Sequence, residues 1–284
     1  MSYINYETQY LSALREILYK GIVSDARNGR TLKLPNLVFN VDLWKEFPIL
    51  TTKKVYYKTA IKELLWMFRD QSNDVTKLQE QNVHIWDKWV DENNTIGKSY
   101  GYQVNNCNQF DKLLDDLKNN NQSRRMVVDL WNVKDLPEMT LEPCVFCTIW
   151  DVCDMSTTAN RCIVEAGDSI YPTPDKYLNM TLVQRSGDMP VGVPFDILEY
   201  SILLSMVANV TGLKPGRLTH IITNAHIYAN QISGVLDQLS RLPMENTAKL
   251  KINPNVKNFY DYKLEDIEIV DYKSHDAIKY QVSE

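Results

Sequence analysis

The chain has 284 residues, 44% of them hydrophobic and 24% charged, with a formal net charge of −5, a composition that suits a globular protein with a sizeable core. The acidic balance argues against a non-specific polyanion binder, so no nucleic-acid partner is expected. No apolar run reaches the ~20 residues of a membrane span, Met1–Asn5 carries no basic flank before an apolar stretch, and five cysteines read as reduced thiols rather than a disulfide framework; a cytoplasmic protein is expected, in the host cytoplasm if the source is viral.

No repeat and no Pro/Gly/Ser linker divides the chain, so one domain over 1–284 is expected. Tyr6 to Lys20 reads as a helix, because Leu11, Leu14, Ile17 and Leu18 recur at helical spacing and Gly21 follows. Tyr57 to Phe68 is a second helix, with Ile61, Leu64, Leu65 and Phe68 on one face, and Phe110 to Leu117 a third. The period then changes. Met126 to Trp131 and Val145 to Trp150 read as strands, as does the stretch in which Leu178, Met180 and Leu182 alternate with polar residues. Cys153 to Tyr177 has little periodicity and reads as an inserted surface hairpin. Phe195 to Val210 is a very apolar, buried helix closed by Gly212, and His226 to Leu239 a further helix before Pro243. Helices on both sides of a mixed sheet place the chain in the α/β or α+β class.

Several residues bear chemistry. Cys144 follows Glu142-Pro143; as a nucleophile it needs cations that lower its pKa, and Arg124, Arg125 and Arg185 are candidates, whereas an inert buried thiol is the bland reading. Cys144, Cys147, Cys153 and Cys162 could form a zinc site, but a continuous strand puts the first two on opposite sides, so no metal is expected. Adjacent arginines suit either a solvated surface or a phosphate dianion, and Arg27 lies in a Gly-containing loop able to close over the same phosphate. Glu63, on an apolar face, is either an edge residue or a partly buried acid able to shuttle protons. Asp196-Ile197-Leu198-Glu199 reads as a capping box at a helix start, where the helix dipole favours an ionised Asp196.

From about residue 8 to 272 the chain resembles the thymidylate synthase family. The ordered blocks that carry the resemblance include Phe47 to Lys54, Lys62 to Trp66, Ile85 to Trp89, Tyr100-Gly101, Ser123 to Arg125, Pro143-Cys144, Gln184 to Asp188, Pro194-Phe195 and His226 to Tyr228. The resemblance implies that fold, a homodimer through the sheet, and one-carbon transfer from 5,10-methylenetetrahydrofolate to a pyrimidine nucleoside monophosphate. Cys144 would attack C6 of the base, Glu63 would organise water and proton transfers, and Tyr100 would assist proton removal at C5. Arg27, Arg185 and Ser186, with Arg124 and Arg125 from the neighbouring subunit, would hold the phosphate. Gln184 belongs to the same substrate site, and His226 and Tyr228 would bind the sugar 3′-hydroxyl. Trp86, Trp89 and Asp188 would contact the folate, and Lys53 its glutamate tail.

Two departures shift the expectation. Asp196 stands where the family has Asn, and Val145 where it has His. Asn both donates and accepts, as uracil requires, whereas an ionised Asp only accepts and suits the amino group of cytosine. Distantly related phage deoxycytidylate hydroxymethylases resemble this chain in having that Asp. The polar end, Ile278 to Glu284, suggests a lid that excludes water weakly, so that water rather than hydride completes the reaction. The leading expectation is therefore 5-hydroxymethylation of dCMP for modified DNA. Alternatives are dCMP methylation, dUMP methylation as in thymidylate synthase, a CMP substrate, and a silent homologue that binds nucleotide or RNA.

Overall fold

The computed structural model describes residues 3–119, 122–154 and 176–281. In chain order the elements are α1 (Tyr6–Lys20), β1 (Ile22–Ala26), β2 (Gly29–Asp42), α2 (Tyr57–Leu64), α3 (Thr76–Gln79), α4 (Gly101–Asn105), α5 (Gln109–Asn119) and β3 (Val127–Asp129). There follow β4 (Val145–Asp154), β5 (Lys176–Gln184), β6 (Gly187–Asp188), α6 (Gly192–Thr211), β7 (Lys214–Tyr228), α7 (Ile232–Ser240), β8 (Lys249–Ile252) and β9 (Ile267–Val270).

Seven strands form one sheet in the order β1-β2-β7-β5-β4-β3, with β6 beside β7. β5 and β6 run parallel to β7, and the other neighbours are antiparallel. This is the expected mixed sheet packed with helices. Its parallel part arises because α6 carries the chain from β6 back to β7, as a parallel pair requires. β8 and β9 form a separate hairpin.

The first helix matches its expected bounds. Asn5 caps it by accepting from the Thr8 N–H at 2.8 Å, and the Gly21 N–H closes it on Ile17 O. The second runs into a π-turn over Leu65–Arg69. α6 is apolar all round and mostly buried, which is how a central helix reads. It is long and apolar enough to span a membrane, but 83% of its most apolar 18-residue stretch is buried inside the fold. Gly212 at φ 73° ends it in the left-handed region.

Two expectations are corrected. His226 to Tyr228 is the end of β7, not the start of a helix; the helix begins at Ile232. Asp196 is no cap, because α6 starts at Gly192 and its N-cap, Val191, makes no side-chain hydrogen bond. The expected hairpin lies outside the described residues except for its ends, where Cys153 pairs with Tyr177 and Asp154 with Lys176.

Alternation along the strands gives the sheet two faces. Leu178, Met180, Leu182 and Leu218 point inward, where α1 and α6 cover them. On the other face Ile149, Asp151 and Arg217 are exposed.

Candidate active site

A cavity of about 540 Å³ opens where β5 and β6 end and α6 begins, the end of a parallel unit at which ligands collect. Its reactive side chains come from four places: Glu63 from α2, Tyr100 from the turn before α4, Cys144 from the residue before β4, and Asp196 from α6. A β-bulge between Val145 and Cys147 interrupts the β4–β5 register, and both Cys144 and Val145 reach the cavity wall.

The backbone that carries Cys144 is held from two directions. Its backbone N–H donates to the Tyr100 hydroxyl at 3.0 Å. Arg185 donates to Pro143 O at 2.9 Å and Glu142 O at 2.8 Å, and its N–H donates to Cys144 O at 2.8 Å. Burial pushes the thiol above its usual range, Arg185 draws it back, and Asp196, Glu142 and Asp188 push it further up. The expected lowering is therefore not met, because desolvation outweighs one guanidinium.

Asp196 opens onto the cavity and is enclosed on its other sides. Loss of water pushes its carboxyl up to about 7, with Gln184 opposing and the Glu63 and Asp188 charges adding to the rise. At neutral pH both protonation states are therefore populated, rather than the ionised state alone that a helix dipole would favour. Gln184 donates Nε2–H to Asp196 Oδ2 and to Ser186 O, both at 2.9 Å, while its Oε1 lies 2.6 Å from His220 Nε2. An amide oxygen only accepts, so His220 carries its hydrogen on Nε2. Desolvation lowers that imidazole to about 3, which keeps it neutral. A flipped amide would set two oxygens against each other at Ser186, so the chain from His220 through Gln184 to Asp196 has one orientation.

Glu63 is buried, and burial raises its carboxyl. It accepts from Trp86 Nε1 at 2.8 Å. Of the two readings of Glu63, the buried acid is the one observed. Trp86 stacks edge-on with Trp89 at 6.0 Å and with Tyr100 at 5.4 Å. These rings, with Ile85, Leu141 and Phe195, form apolar walls. Desolvation raises Asp188 to about 6, although it accepts from Gln231 Nε2 at 2.8 Å and from the Val191 N–H.

Other expected site residues lie elsewhere. Lys53 is not in the cavity wall; its ammonium is buried, donates to Pro190 O and lies 4.9 Å from the Tyr280 ring centroid. Desolvation lowers it to about 8, with Asp188 opposing. His226 and Tyr228 end β7 with rings 5.0 Å apart. Arg27 is exposed in the β1–β2 turn; burial raises the Tyr228 hydroxyl, Asp188 and Cys144 add to the rise, and Arg27 opposes it. Arg124 and Arg125 are exposed in this single chain. The tail as far as Gln281 is docked: Tyr280 donates to Gly234 O at 3.1 Å and Gln238 Oε1 at 2.9 Å. None of its described residues lines the cavity.

Three site residues escaped the sequence reading. Glu199 and Tyr200 line the cavity, and His220 holds Gln184. Glu199 had a signal: a second acid one turn after Asp196 in a helix that otherwise reads as buried needs a partner inside the fold. His220, on a strand that was not recognised, had none.

The thymidylate synthase family profile matches residues 8–284. The chain is 49% identical over 280 residues to the thymidylate synthase of Clostridium beijerinckii, covering 98% of each chain. It is 37% identical over 298 residues to that of Bacillus phage phi3T, covering 98% of this chain and 99% of the relative. The structure of thermostable thymidylate synthase A from Bacillus subtilis superposes with a TM-score of 0.85 at 36% identity, covering 98% of this chain and 99% of that one. A mixed sheet with a cysteine and carboxyls at the end of its parallel strands defines an enzyme fold of this kind. The chain belongs to the thymidylate synthase family of folate-dependent transferases, and its one-carbon donor is 5,10-methylenetetrahydrofolate. These relatives carry the name of the dUMP-methylating enzyme, which favours that alternative over the expected dCMP hydroxymethylation.

Proposed function

We propose that the protein transfers a one-carbon unit to C5 of a pyrimidine deoxynucleoside monophosphate, with methylation of dUMP as its main reaction. The observation that carries this reading is the Asp196 carboxyl, held near 7 in the same cavity as Cys144. A neutral carboxyl has one donor and one acceptor, as the family's Asn has. It can donate to O4 of uracil and accept from N3–H. As Cys144 adds to C6, the electron pair moves toward O4, where that donor stabilises it.

The apolar rings of Trp86, Trp89 and Phe195 suit a flat heterocycle, and Asp188 offers it a polar contact. When bound, the folate supplies the methylene unit and, for a methyl product, the hydride. Glu63 organises water and proton transfers, and Tyr100 assists removal of the C5 proton. Ser186, Arg185 and Arg27 hold the phosphate, His226 and Tyr228 the sugar. Arg124 and Arg125 complete the phosphate site of a neighbouring subunit in a homodimer formed through the open sheet face.

Asp196 also favours a second reading. The same neutral carboxyl can donate to N3 of cytosine and accept from its amino group, so dCMP is a competing substrate, with methyl or hydroxymethyl product.

Mass analysis of products from dUMP and dCMP, each incubated with 5,10-methylenetetrahydrofolate, tests both. Thymidylate from dUMP is expected. A product from dCMP alone overturns the main reading in favour of the second. Asp196→Asn should suppress any dCMP turnover and preserve that of dUMP. Cys144→Ser should abolish turnover and leave nucleotide binding measurable; persisting activity would move the nucleophile elsewhere.

A further inference from the structure

α6 brings a second acid into the cavity beside Asp196. Glu199 is 3% exposed and lines the cavity with Glu63. Its Oε1 receives no hydrogen bond from any donor among the described residues. The carboxyl of Glu63 lies beside that of Glu199, near enough for a hydrogen bond between the two. Two carboxylates have no hydrogen between them, so such a bond exists only if the pair holds one proton. Glu63 also accepts from Trp86 Nε1, which favours the ionised form on Glu63 and leaves the proton on Glu199.

We propose that Glu199 is a positioning residue that acts through Glu63: the two form one unit that stores a single proton at the wall of the reaction cavity. The proton's balance is simple. To donate, the O–H of Glu199 breaks and its proton passes to the Glu63 carboxylate, which delivers it to a substrate atom or a bound water and leaves both carboxyls ionised; a proton that Glu63 then takes up passes back to Glu199 and restores the pair. No other reactant is needed. This inference rests on the pyrimidine-transfer reading above only for which atom exchanges protons with Glu63. The pair itself follows from the fold.

The other titratable groups around it are Asp196 and Tyr200 on α6 itself, and Tyr100 and Cys144 across the cavity. His84, Asp87 and Lys88 line the same cavity, but no cation among the described residues shifts either glutamate toward ionisation.

The test uses the full chain labelled with carbon-13 at the glutamate carboxyl, so that Asp196 is silent. One glutamate carboxyl should remain protonated at pH 8 in the wild type; that signal should vanish in Glu199→Gln, and in Glu63→Gln it should stay but titrate at lower pH, because the Glu63 charge no longer adds to the effect of burial on Glu199. Glu199→Gln keeps a donor toward Glu63 but no transferable proton. Its kcat should fall roughly tenfold to a hundredfold with nucleotide KM little changed, and the Glu63 limb of the pH profile should move to lower pH. Should all glutamates titrate in the ordinary carboxylate range, or should Glu199→Gln leave both kcat and profile unmoved, the proposal falls. A protonated glutamate without turnover of any pyrimidine nucleotide would leave the pair standing and overturn the functional reading instead. Glu199→Leu serves as the packing control: a loss of stability without the kinetic signature in Glu199→Gln would mark Glu199 as structural.

Discussion

At the scale of single residues, what distinguishes this site is how little water its acids retain. Asp196 at about 7 sits on the boundary between two recognition states. Below that pH it is mostly neutral and presents a donor and an acceptor, complementary to either base. Above it the carboxylate only accepts, and so keeps a contact with the cytosine amino group while it repels O4 of uracil. The dCMP:dUMP ratio of kcat/KM should therefore rise with pH, by about tenfold between pH 7 and 8.5 if the carboxyl titrates alone. The titration of Cys144 affects both substrates and cancels in the ratio. Competition assays across that range check it, and a flat ratio would show that Asp196 does not read the base. The same carboxyl influences stability with a definite sign. The folded chain holds the proton up to about 7 and the unfolded chain only to about 4, so native stability falls as pH rises through that window. Asp196→Asn should remove this component of the slope.

At the scale of elements, the short turn before α4 matters most. Tyr100 has φ 34°, a region that side chains rarely occupy and that is tolerated where surroundings enforce it. Gly101 supplies the enforcement: a Cβ there would lie 2.1 Å from Ser72 O. Gly101→Ala should displace the turn, lose about 1–3 kcal/mol, and reduce turnover as the Tyr100 hydroxyl leaves the Cys144 N–H. Gly212→Ala is the contrast, with φ 73° and no atom near its Cβ; it should cost about 1 kcal/mol and spare activity. Thermal melts with rate measurements separate the two. Such turns also mark where sequence reading succeeded and failed. α1 and α5 were legible because their apolar spacing is clean, α6 because it is a long continuous apolar run, and a glycine ends α1 and α6. β2 was not, since Pro35 and the left-handed Asn36 interrupt it. β7 was not, since His220 occupies an inward position where alternation calls for an apolar residue. Cys144, Glu63 and Asp196, which one cavity brings together, were legible as motifs. The protonation of Asp196 was not, because it depends on enclosure by elements distant in sequence.

At the scale of the molecule, the sheet has one face covered by helices and one largely exposed among the described residues. The open face exposes Val38 at 49% and Ile149 at 45%, with Val127 at 41% on the outer strand β3, and Arg124 and Arg125 immediately precede that strand. A self-complementary dimer that buries this face would cover the apolar residues and present the arginine pair beyond the edge of its own subunit. Ile149→Glu places a charge at the middle of that surface without touching the cavity. It should convert a dimer to monomers at micromolar concentration, measured by analytical ultracentrifugation. The monomer should keep an alkylatable Cys144 but lose protection of that thiol by nucleotide, because the proposed phosphate site would lack the arginines proposed to come from the partner. A variant that remains dimeric would place the interface elsewhere. A monomer that still binds nucleotide and turns over at the wild-type rate would mean that Arg27 and Arg185 suffice for the phosphate within one chain.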